Sequence, residues 1–218
     1  MHKARFTFTK TGDIRWISHL ELMTVLRRTF ARADVQLTHS EGFNPHPYLS
    51  VALPLPVGVE SVCEILDVKL DAAPNDTMPA GLTQAAPGGV TFQTVTSELR
   101  QVGEIAWTKV QYAVPCAIRA DDELKTMRLA MTTPPLPVER KSKSGVSIID
   151  LTQHMHGCAF TYTGGMLAFT TLLRAREPVI NPMLTIAALR QTLDGIDWQN
   201  ATIRRLEVLD ASFHPFIT

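Results

Sequence analysis

The order in which strand and helix patterns follow one another is the feature that most constrains the fold of this chain. Residues 5–9 alternate between apolar and polar side chains, as a half-buried strand does. An amphipathic helix follows, because Ser18 and Glu21 have capping-box spacing and Ile17 and Leu22 have the spacing of a hydrophobic staple. A strand, another strand, a short helix and a final strand are predicted next, at residues 49–53, 62–70, 77–85 and 90–95. The predicted order is therefore βαββαβ.

The second half has a similar order with one additional hairpin. Its predicted strands and helices lie at residues 105–116, 121–131, 138–140, 146–149, 158–162, 166–173 and 203–209. Gly164-Gly165 is a strong hairpin signal, and a further helix starts at Asn181-Pro182 and ends before Gly195. We expect an α+β protein with two ferredoxin-like (βαββαβ-type) halves and antiparallel sheets, with domains at residues 1–100 and 101–218. No residue-level repeat is evident, so this duplication rests on element order alone.

Composition excludes several classes of protein. Of the 218 residues, 45% are hydrophobic and 19% charged, which is ordinary for a globular chain with a real core. No apolar run is long enough to cross a bilayer, and the amino terminus lacks a signal-peptide block, so a cytoplasmic protein without a membrane is expected. Cys63, Cys116 and Cys158 are widely separated and odd in number, which argues against a disulfide framework.

The net charge of zero conceals two basic segments. Residues 1–48 contain seven basic and four acidic residues, and residues 138–176 contain five basic and two acidic residues, so each segment has a net charge of +3. The second segment includes Arg140, Lys141 and Lys143. Two basic segments on a neutral chain suit an anionic ligand bound on one face. Charges scattered over solvated faces are the alternative.

The predicted first helix supplies one group of candidate ligand-binding residues. An anion could dock at its start, where free N–H groups and the helix dipole favour negative charge, or the start could simply be a well-capped helix. His19 is a candidate acid or base, as is Asp13, or else His19 is a satisfied core histidine. Exposed arginines on the helix could contact phosphates or remain solvated. The candidates are Lys10, Asp13, Arg15, Ser18, His19, Arg27, Arg28 and Arg32.

The segment Ser40–Pro47 supplies a second group. Gly42 permits a positive φ, and Pro45 and Pro47 fix the backbone at two places, so this loop is expected to be rigid. Rigid loops that present polar groups are common binding sites. The alternative is a structural crossover in which Asn44 bonds its own backbone. The candidates are Gly42, Phe43, Asn44 and His46, with Phe43 as a stacking face or anchor.

The two groups are expected to form one composite site. If residues 35–39 were a strand, the Asn44–His46 loop would lie at the same end of the sheet as residues 10–18. If Leu49 instead begins the second strand, residues 34–47 form a connector that starts at the far end. That connector is long enough to climb back along the helix, since an extended chain covers about 3.3 Å per residue.

Several segments resemble an uncharacterised bacterial family named for its link to radical SAM enzymes. The resembling segments are residues 8–23, Ser40–Pro47, Pro54–Ser61, Glu64–Asp67 and 140–150. The resemblance implies a partner, a cobalamin-type radical SAM protein that carries a 4Fe-4S cluster, S-adenosylmethionine and cobalamin. It implies no established activity for this domain of unknown function. Glu21 stands where the family usually has aspartate, and Tyr48 where a basic residue is common.

The chain itself lacks the signature of a radical SAM enzyme. Its three cysteines cannot form the CxxxCxxC cluster ligands, so no cofactor is expected to be bound by this chain. His154, His156 and Cys158 could be metal ligands. No second cluster completes a convincing ligand set, and a surface or turn histidine pair is the simpler interpretation.

Three functions remain open. The first is a non-catalytic substrate-binding or adaptor module that holds structured RNA for a radical SAM enzyme in tRNA or rRNA modification. The second is an RNA-processing or RNA-modifying enzyme with His19 or His46 as general acid or base and Asp13, Asp67 or Asp150 as a partner. The third is a protein–protein adaptor that docks through Phe43 and Tyr48 without RNA.

Overall fold

The computed structural model describes residues 1–116, 121–142, 145–191 and 196–217. Within these ranges the protein is a mixed α/β structure with four helices, and the strand pairings inside each unit are antiparallel. The chain divides into two compact units, Met1–Glu104 and Ile105–Thr218. Each unit contains its own strands and helices.

The N-terminal unit has the predicted order of elements. Its elements are β1 (His2–Lys10), α1 (His19–Arg32), β2 (Leu49–Ala52), β3 (Val59–Leu70), α2 (Met78–Ala85) and β4 (Phe92–Thr96). In the sheet, β1 lies between β4 and β3, and β2 pairs with the other edge of β3. A 3₁₀ turn, Gly12–Trp16, joins β1 to the residues that start α1.

The core of this unit lies between one face of the sheet and the helices. Phe6 packs edge-on against Phe30 of α1 and Phe92 of β4, with ring centroids 5.6 and 5.9 Å apart. Because side chains alternate along a strand, burying Phe6 and Phe8 against the helices turns Arg5 and Thr7 toward the opposite face of the sheet. The polar alternation of β1 therefore determines which charges face away from the helices.

The strand register shows which loops lie at which end of the sheet. Across the β1–β3 pair, Lys10 lies opposite Ser61 at one end and His2 lies opposite Leu70 at the other. Leu49, opposite Val68, begins β2, and residues 35–39 form only isolated bridges. The connector between α1 and β2 is tied to the His2 end, because the Thr38 N–H donates to the Lys69 carbonyl over 2.8 Å.

The C-terminal unit contains four consecutive paired strands of a sheet and a separate hairpin. Its elements are β5 (Ile105–Pro115), α3 (Asp121–Thr132), β6 (Pro137–Ser142), β7 (Gly145–Asp150), β8 (Met155–Thr163), β9 (Met166–Arg174), α4 (Met183–Arg190) and β10 (Thr202–Asp210). The sheet order is β10-β5-β9-β8, while β6 and β7 pair only with each other. The helix end predicted at Gly195 lies outside the described residues.

The core of the C-terminal unit contains one buried phenol. The Tyr112 ring stacks on Phe169 with centroids 4.5 Å apart, and its hydroxyl lies 3.0 Å from both the Pro182 carbonyl oxygen and the Thr185 hydroxyl. Burial raises the Tyr112 pKa above its ordinary value, despite the hydrogen bond from Thr185. The hydroxyl therefore stays protonated and ties β5 to the start of α4. The Asn181 side chain accepts a hydrogen bond from the Met183 N–H, as predicted for a helix cap.

Candidate anion-binding groove

The start of α1 is a capped helix whose polar groups satisfy one another. The Ser18 hydroxyl accepts from the Glu21 N–H, and the Glu21 carboxylate accepts from the Ser18 N–H over 2.7 Å, which confirms the predicted capping box. These hydrogen bonds from Ser18 hold the Glu21 pKa below its ordinary value. Two of the N–H groups expected to bind an anion, those of Ser18 and Glu21, therefore already donate hydrogen bonds within the cap.

Lys10 and Arg15 stabilise the turn before α1. Lys10 is only 1% exposed, and its ammonium donates to the carbonyl oxygens of Arg15 and Ile17 over 3.3 and 3.5 Å. The Arg15 guanidinium and the Gly12 N–H both donate to one oxygen of Glu60. The folded structure therefore directs both cations inward, onto the backbone and a buried carboxylate, rather than toward a surface ligand.

The remaining candidates on α1 have different environments. His19 is half-buried, and its Nδ1 atom is enclosed without a hydrogen-bond partner among the residues that the structure describes, while Asp13 is exposed. Arg32 donates twice to the carbonyl oxygen of Ala85 over 2.7 and 2.9 Å, so it caps the end of α2. Arg27 and Arg28 are exposed, and the Arg27 Nε donates to the Met23 carbonyl one turn earlier.

The loop Ser40–Pro47 is held by hydrogen bonds between Ser40 and His46. The Ser40 hydroxyl lies 3.0 Å from His46 Nδ1 and accepts from the His46 N–H over 3.1 Å, while the Ser40 N–H donates to the His46 carbonyl. Gly42 has a φ of +117°, as the sequence predicted for this bend. Phe43 and Asn44 are exposed, and the Phe43 side chain is fully solvated.

The expectation of one composite site is wrong. Lys10 lies opposite Ser61, whereas Thr38 of the connector bonds Lys69, eight residues further along β3. That separation is about 26 Å at roughly 3.3 Å per residue. The physical reason is that α1 carries the chain to the other end of the sheet, where bonds to Lys69 retain the connector. His19 and His46 accordingly belong to different places and cannot form one acid–base pair.

A groove on the open face of the N-terminal sheet adjoins the Ser40–Pro47 loop. Its volume is about 590 Å³. Four segments line it: β1 and β3 near the His2 end, residues 46–50, and residues 99–103. The polar and charged side chains among the lining residues are Lys3, Arg5, His46, Tyr48, Ser50, Asp67, Lys69, Arg100 and Gln101.

One partly buried ion pair lies among the groove-lining residues. Arg5, only 3% exposed, makes two parallel bonds to the Asp67 carboxylate, over 2.6 and 2.7 Å. Its third nitrogen donates to the Arg100 carbonyl over 3.0 Å and so fixes the segment that walls the groove. Bidentate arginine–carboxylate geometry is rigid, and the two charges neutralise each other. The positive character of the groove must come from other residues.

That positive character comes from Lys3 and Lys69. The two residues are directly opposite each other on β1 and β3, and both line the groove. Neither forms an ion pair with a carboxylate in the part of the chain that the structure describes. The Lys69 ammonium lies 3.7 Å from the centroid of the Tyr48 ring, which orients it by a cation–π contact. Like charges that face each other across a ladder destabilise a sheet, and a bound anion would relieve that repulsion.

This pair is not predicted by the sequence. Lys3 belongs to the basic segment 1–48, and alternation with Ala4 and Phe6 puts Lys3 and Arg5 on one face of a strand. Lys69 and Asp67 alternate with buried residues of β3 in the same way. The missing information was the register of β1 against β3, which no local pattern contains.

Two candidates of the C-terminal unit, Arg140 and Lys141, lie on β6. Arg140 is half-buried and Lys141 exposed, and Lys143 lies outside the described residues. Asp150 stabilises the end of this hairpin, since its carboxylate accepts from the Leu136 N–H and from both the N–H and hydroxyl of Thr152. Burial would raise the Asp150 pKa, but these hydrogen bonds outweigh it and hold the pKa below its ordinary value. A common basic face with residues 1–48 stays a prediction.

Comparison with known proteins places the chain in a family. The model of a bacterial family, described as "Uncharacterized protein conserved in bacteria (DUF2344)", matches residues 3–182. The chain belongs to this family. The DUF2344 match covers β1 to β4 and continues through the β8–β9 hairpin. The groove residues of both strands therefore lie within the DUF2344 region.

No curated protein matches the chain. Among solved structures, a crystal structure of an unknown protein from Galdieria sulphuraria aligns with 8% identity and a TM-score of 0.27, covering 94% of this chain and 98% of that one. No helix in the described ranges of this DUF2344 chain combines the length and apolar character needed to cross a membrane.

Proposed function

We propose that this protein is a non-catalytic RNA-binding module whose N-terminal groove contacts the phosphate backbone of a structured RNA. The observation that carries the proposal is the pair Lys3 and Lys69, two lysines that are directly opposite each other in the strand register and both line the groove. Lysines contact phosphates in protein–nucleic acid complexes and supply most of their salt-dependent affinity.

The other groups of the groove suit the same ligand. His46 and Tyr48 present ring faces 6.4 Å apart, beside the Lys69 ammonium. Aromatic rings next to cations favour nucleic acid over a simple anion, because bases can stack while phosphates bind the ammonium groups. The Arg5–Asp67 pair keeps the floor rigid, so little ordering is required when a ligand binds.

The proposed partner is a cobalamin-type radical SAM enzyme. This part of the proposal rests on the sequence resemblance of residues 8–23 and Ser40–Pro47. The partner would carry the 4Fe-4S cluster, S-adenosylmethionine and cobalamin, and this chain would present the RNA, such as tRNA or rRNA, for modification. We further interpret both units as ferredoxin-like halves. If the four strands in each of the orders β4-β1-β3-β2 and β10-β5-β9-β8 are numbered along the chain, both orders become 4-1-3-2.

RNA binding can be tested by fluorescence anisotropy with labelled tRNA and rRNA fragments. We expect binding at 50 mM salt that weakens steeply by 200 mM. The double variant Lys3→Gln/Lys69→Gln should bind roughly tenfold more weakly at low salt, with a salt slope smaller by about 1.5, since each phosphate contact contributes about 0.7–0.9 to the slope.

A matched control removes two charges from the other unit. Lys125 and Arg190 are exposed, so Lys125→Gln/Arg190→Gln changes the net charge equally without touching the groove. The control should bind RNA like the wild type. An equal loss of RNA affinity in both double variants would show non-specific electrostatic attraction and would contradict RNA binding in the groove. Undetectable RNA binding at 50 mM salt would contradict the proposal as a whole.

A second candidate function, RNA cleavage, is favoured by the Ser40–His46 contact. The hydroxyl at 3.0 Å orients the imidazole through Nδ1, which leaves Nε2 as the atom able to act as a general base. His46 would take the proton of an RNA 2′-hydroxyl, whose oxygen attacks the adjacent phosphorus and displaces the 5′-oxygen. Incubation of labelled RNA with wild type and His46→Ala tests this. Intact RNA after incubation with the wild type would exclude this function, and cleavage lost only in His46→Ala would support it.

A further inference from the structure

Three rings in the C-terminal unit form a cluster that the groove does not involve. Trp107 of β5, His156 of β8 and Phe213, which follows β10, lie together, and we call them the aromatic platform. The Phe213 ring stacks on Trp107 with centroids 5.5 Å apart and on His156 with centroids 5.0 Å apart. Trp107 and His156 are themselves 6.2 Å apart.

The aromatic platform lies on the face of the sheet opposite the helices. Along β5, Thr108, Val110 and Tyr112 are buried toward the helices, so the alternating residues Trp107 and Lys109 point to the other face. Trp107 is half-buried, His156 is exposed, and Phe213 is 42% exposed. Exposed aromatic rings grouped in this way are typical of binding surfaces rather than of cores.

Phe213 is held in place by an unusual backbone conformation. Its φ is +63°, a region that bulky side chains rarely occupy. The Asp210 carboxylate builds the turn by accepting from the N–H groups of Ser212 and His214 over 2.9 and 3.1 Å, and the Phe213 N–H donates to the Asp210 carbonyl. The turn thus compensates the strained backbone of a residue that is still 42% exposed. Backbone strain that is retained at a residue with an exposed aromatic ring indicates a role in binding.

Cations and a hollow border the platform. The Arg174 guanidinium lies 6.0 Å from the Trp107 ring centroid, and Lys109 lines a hollow of about 260 Å³ that also contains His156. Gly157, with a φ of +63°, forms a bulge in β8 at this hollow. Lys109 is 3.7 Å from Glu207, so Arg174 is the stronger candidate for contacting an anionic ligand.

We propose that the aromatic platform stacks unpaired nucleobases of the bound RNA, which rests on the proposed function. The ligand class is a single-stranded segment: bases lie on Phe213 and Trp107, and Arg174 contacts the phosphate between them. Base stacking needs no sequence-specific hydrogen bonds, because every base has a π face. The cations at the margin favour a ligand that is both aromatic and anionic over a neutral protein surface.

The test compares an oligouridine with an abasic oligonucleotide of equal length, both bound to the full-length protein and measured by anisotropy at low salt. The abasic strand keeps the phosphates and lacks the bases. We expect the wild type to bind oligouridine about tenfold more tightly. Phe213→Gly should remove most of that difference without weakening abasic binding. Glycine suits the positive φ, so this variant keeps the turn. Phe213→Tyr, which retains the stacking ring, should behave like the wild type.

The outcomes separate this inference from the proposed function. If the wild type binds the two strands with equal affinity and Lys3→Gln/Lys69→Gln binds both more weakly, base stacking on the aromatic platform is refuted. The proposal that RNA binds in the groove would then still hold. Equal loss of both affinities in Phe213→Gly would also overturn the platform, since it would indicate a structural role. If the wild type binds neither strand nor structured RNA, both proposals fail.

Tryptophan fluorescence supplies an independent readout. Stacking of a base on Trp107 should quench emission when oligouridine is added, and Trp107→Phe should abolish that quenching while keeping most of the affinity. Quenching that persists in Trp107→Phe would arise from Trp16 or Trp198 and would overturn the placement of the base.

Discussion

A Cβ atom at Gly89 would collide with the backbone carbonyl oxygen of Thr11. Gly89 has a φ of +88°, and its own carbonyl accepts from the Thr11 N–H over 2.9 Å. Two backbone segments therefore meet directly, where the chain leaves β1 and where it approaches β4. This close approach holds the turn that precedes α1, and only glycine permits it.

Gly89→Ala should destabilise the protein strongly. The added methyl meets fixed backbone rather than a flexible side chain, and the positive φ is strained for alanine, so we expect a loss of about 2 kcal/mol or more in the free energy of unfolding. Urea denaturation measures it. Gly88→Ala is the matched control, because Gly88 has open space around its Cβ position and should change stability by less than about 1 kcal/mol. Similar losses in both variants would contradict the contact.

Asp67→Asn should cost more stability than loss of an exposed ion pair. It leaves the guanidinium of Arg5, which is almost fully buried, without its carboxylate, and breaking such a pair costs about 3 kcal/mol. Glu207→Gln, which removes the exposed partner of Lys109, should cost no more than about 1 kcal/mol. Equal effects of the two variants on the urea midpoint would show that the Arg5–Asp67 pair is not structurally important.

His154 should make stability depend on pH in the acidic range. Burial lowers its pKa below the ordinary 6.5, and the charges of Arg174 and Arg140 lower it further, while Asp150 acts in the opposite direction. Because the unfolded chain then binds a proton more readily than the folded one, stability is fully present above pH 6.5 and falls as the pH drops toward the folded pKa. His154→Gln should flatten this part of the curve of thermal midpoint against pH. An unchanged slope between pH 6.5 and 5 would contradict the assignment.

Cys158 should be a slow thiol. Burial raises its pKa to about 12, and Arg128 offsets this only in part. At pH 8 roughly one molecule in ten thousand would carry the thiolate, which is the reactive form. Alkylation with iodoacetamide, followed site by site with mass spectrometry, should modify Cys158 far more slowly in the folded protein than in urea. Rapid modification of Cys158 in the folded protein at pH 8 would refute the prediction.

Local features of both units could be predicted from the sequence. The Ser18–Glu21 capping box forms as predicted, since both hydrogen bonds join residues three positions apart. The hairpin at Gly164-Gly165 also forms, with Thr163 opposite Met166, because both glycines adopt the positive φ that a tight turn requires. Each of these features depends only on residues that are neighbours in the chain.

The partners of the candidate ligand-binding side chains could not be predicted from the sequence. Lys10 looked like a surface cation, yet it is buried and bonds the carbonyls of Arg15 and Ile17. Arg32 looked solvated and caps α2 instead, 53 residues away in sequence. A side chain long enough to cross between elements takes the partner that packing brings near, and residue type alone does not name that partner.

By itself, the sequence determined the strands, the helices and which residues of each strand share a face, because these follow from spacing along the chain. Only the tertiary structure decided that Lys3 stands opposite Lys69, and that Ser40–Pro47 lies at the end of the sheet away from Lys10. Register and loop position depend on pairing between residues more than 30 positions apart. Such pairing is chosen by the packing of the whole unit, and no short pattern encodes it.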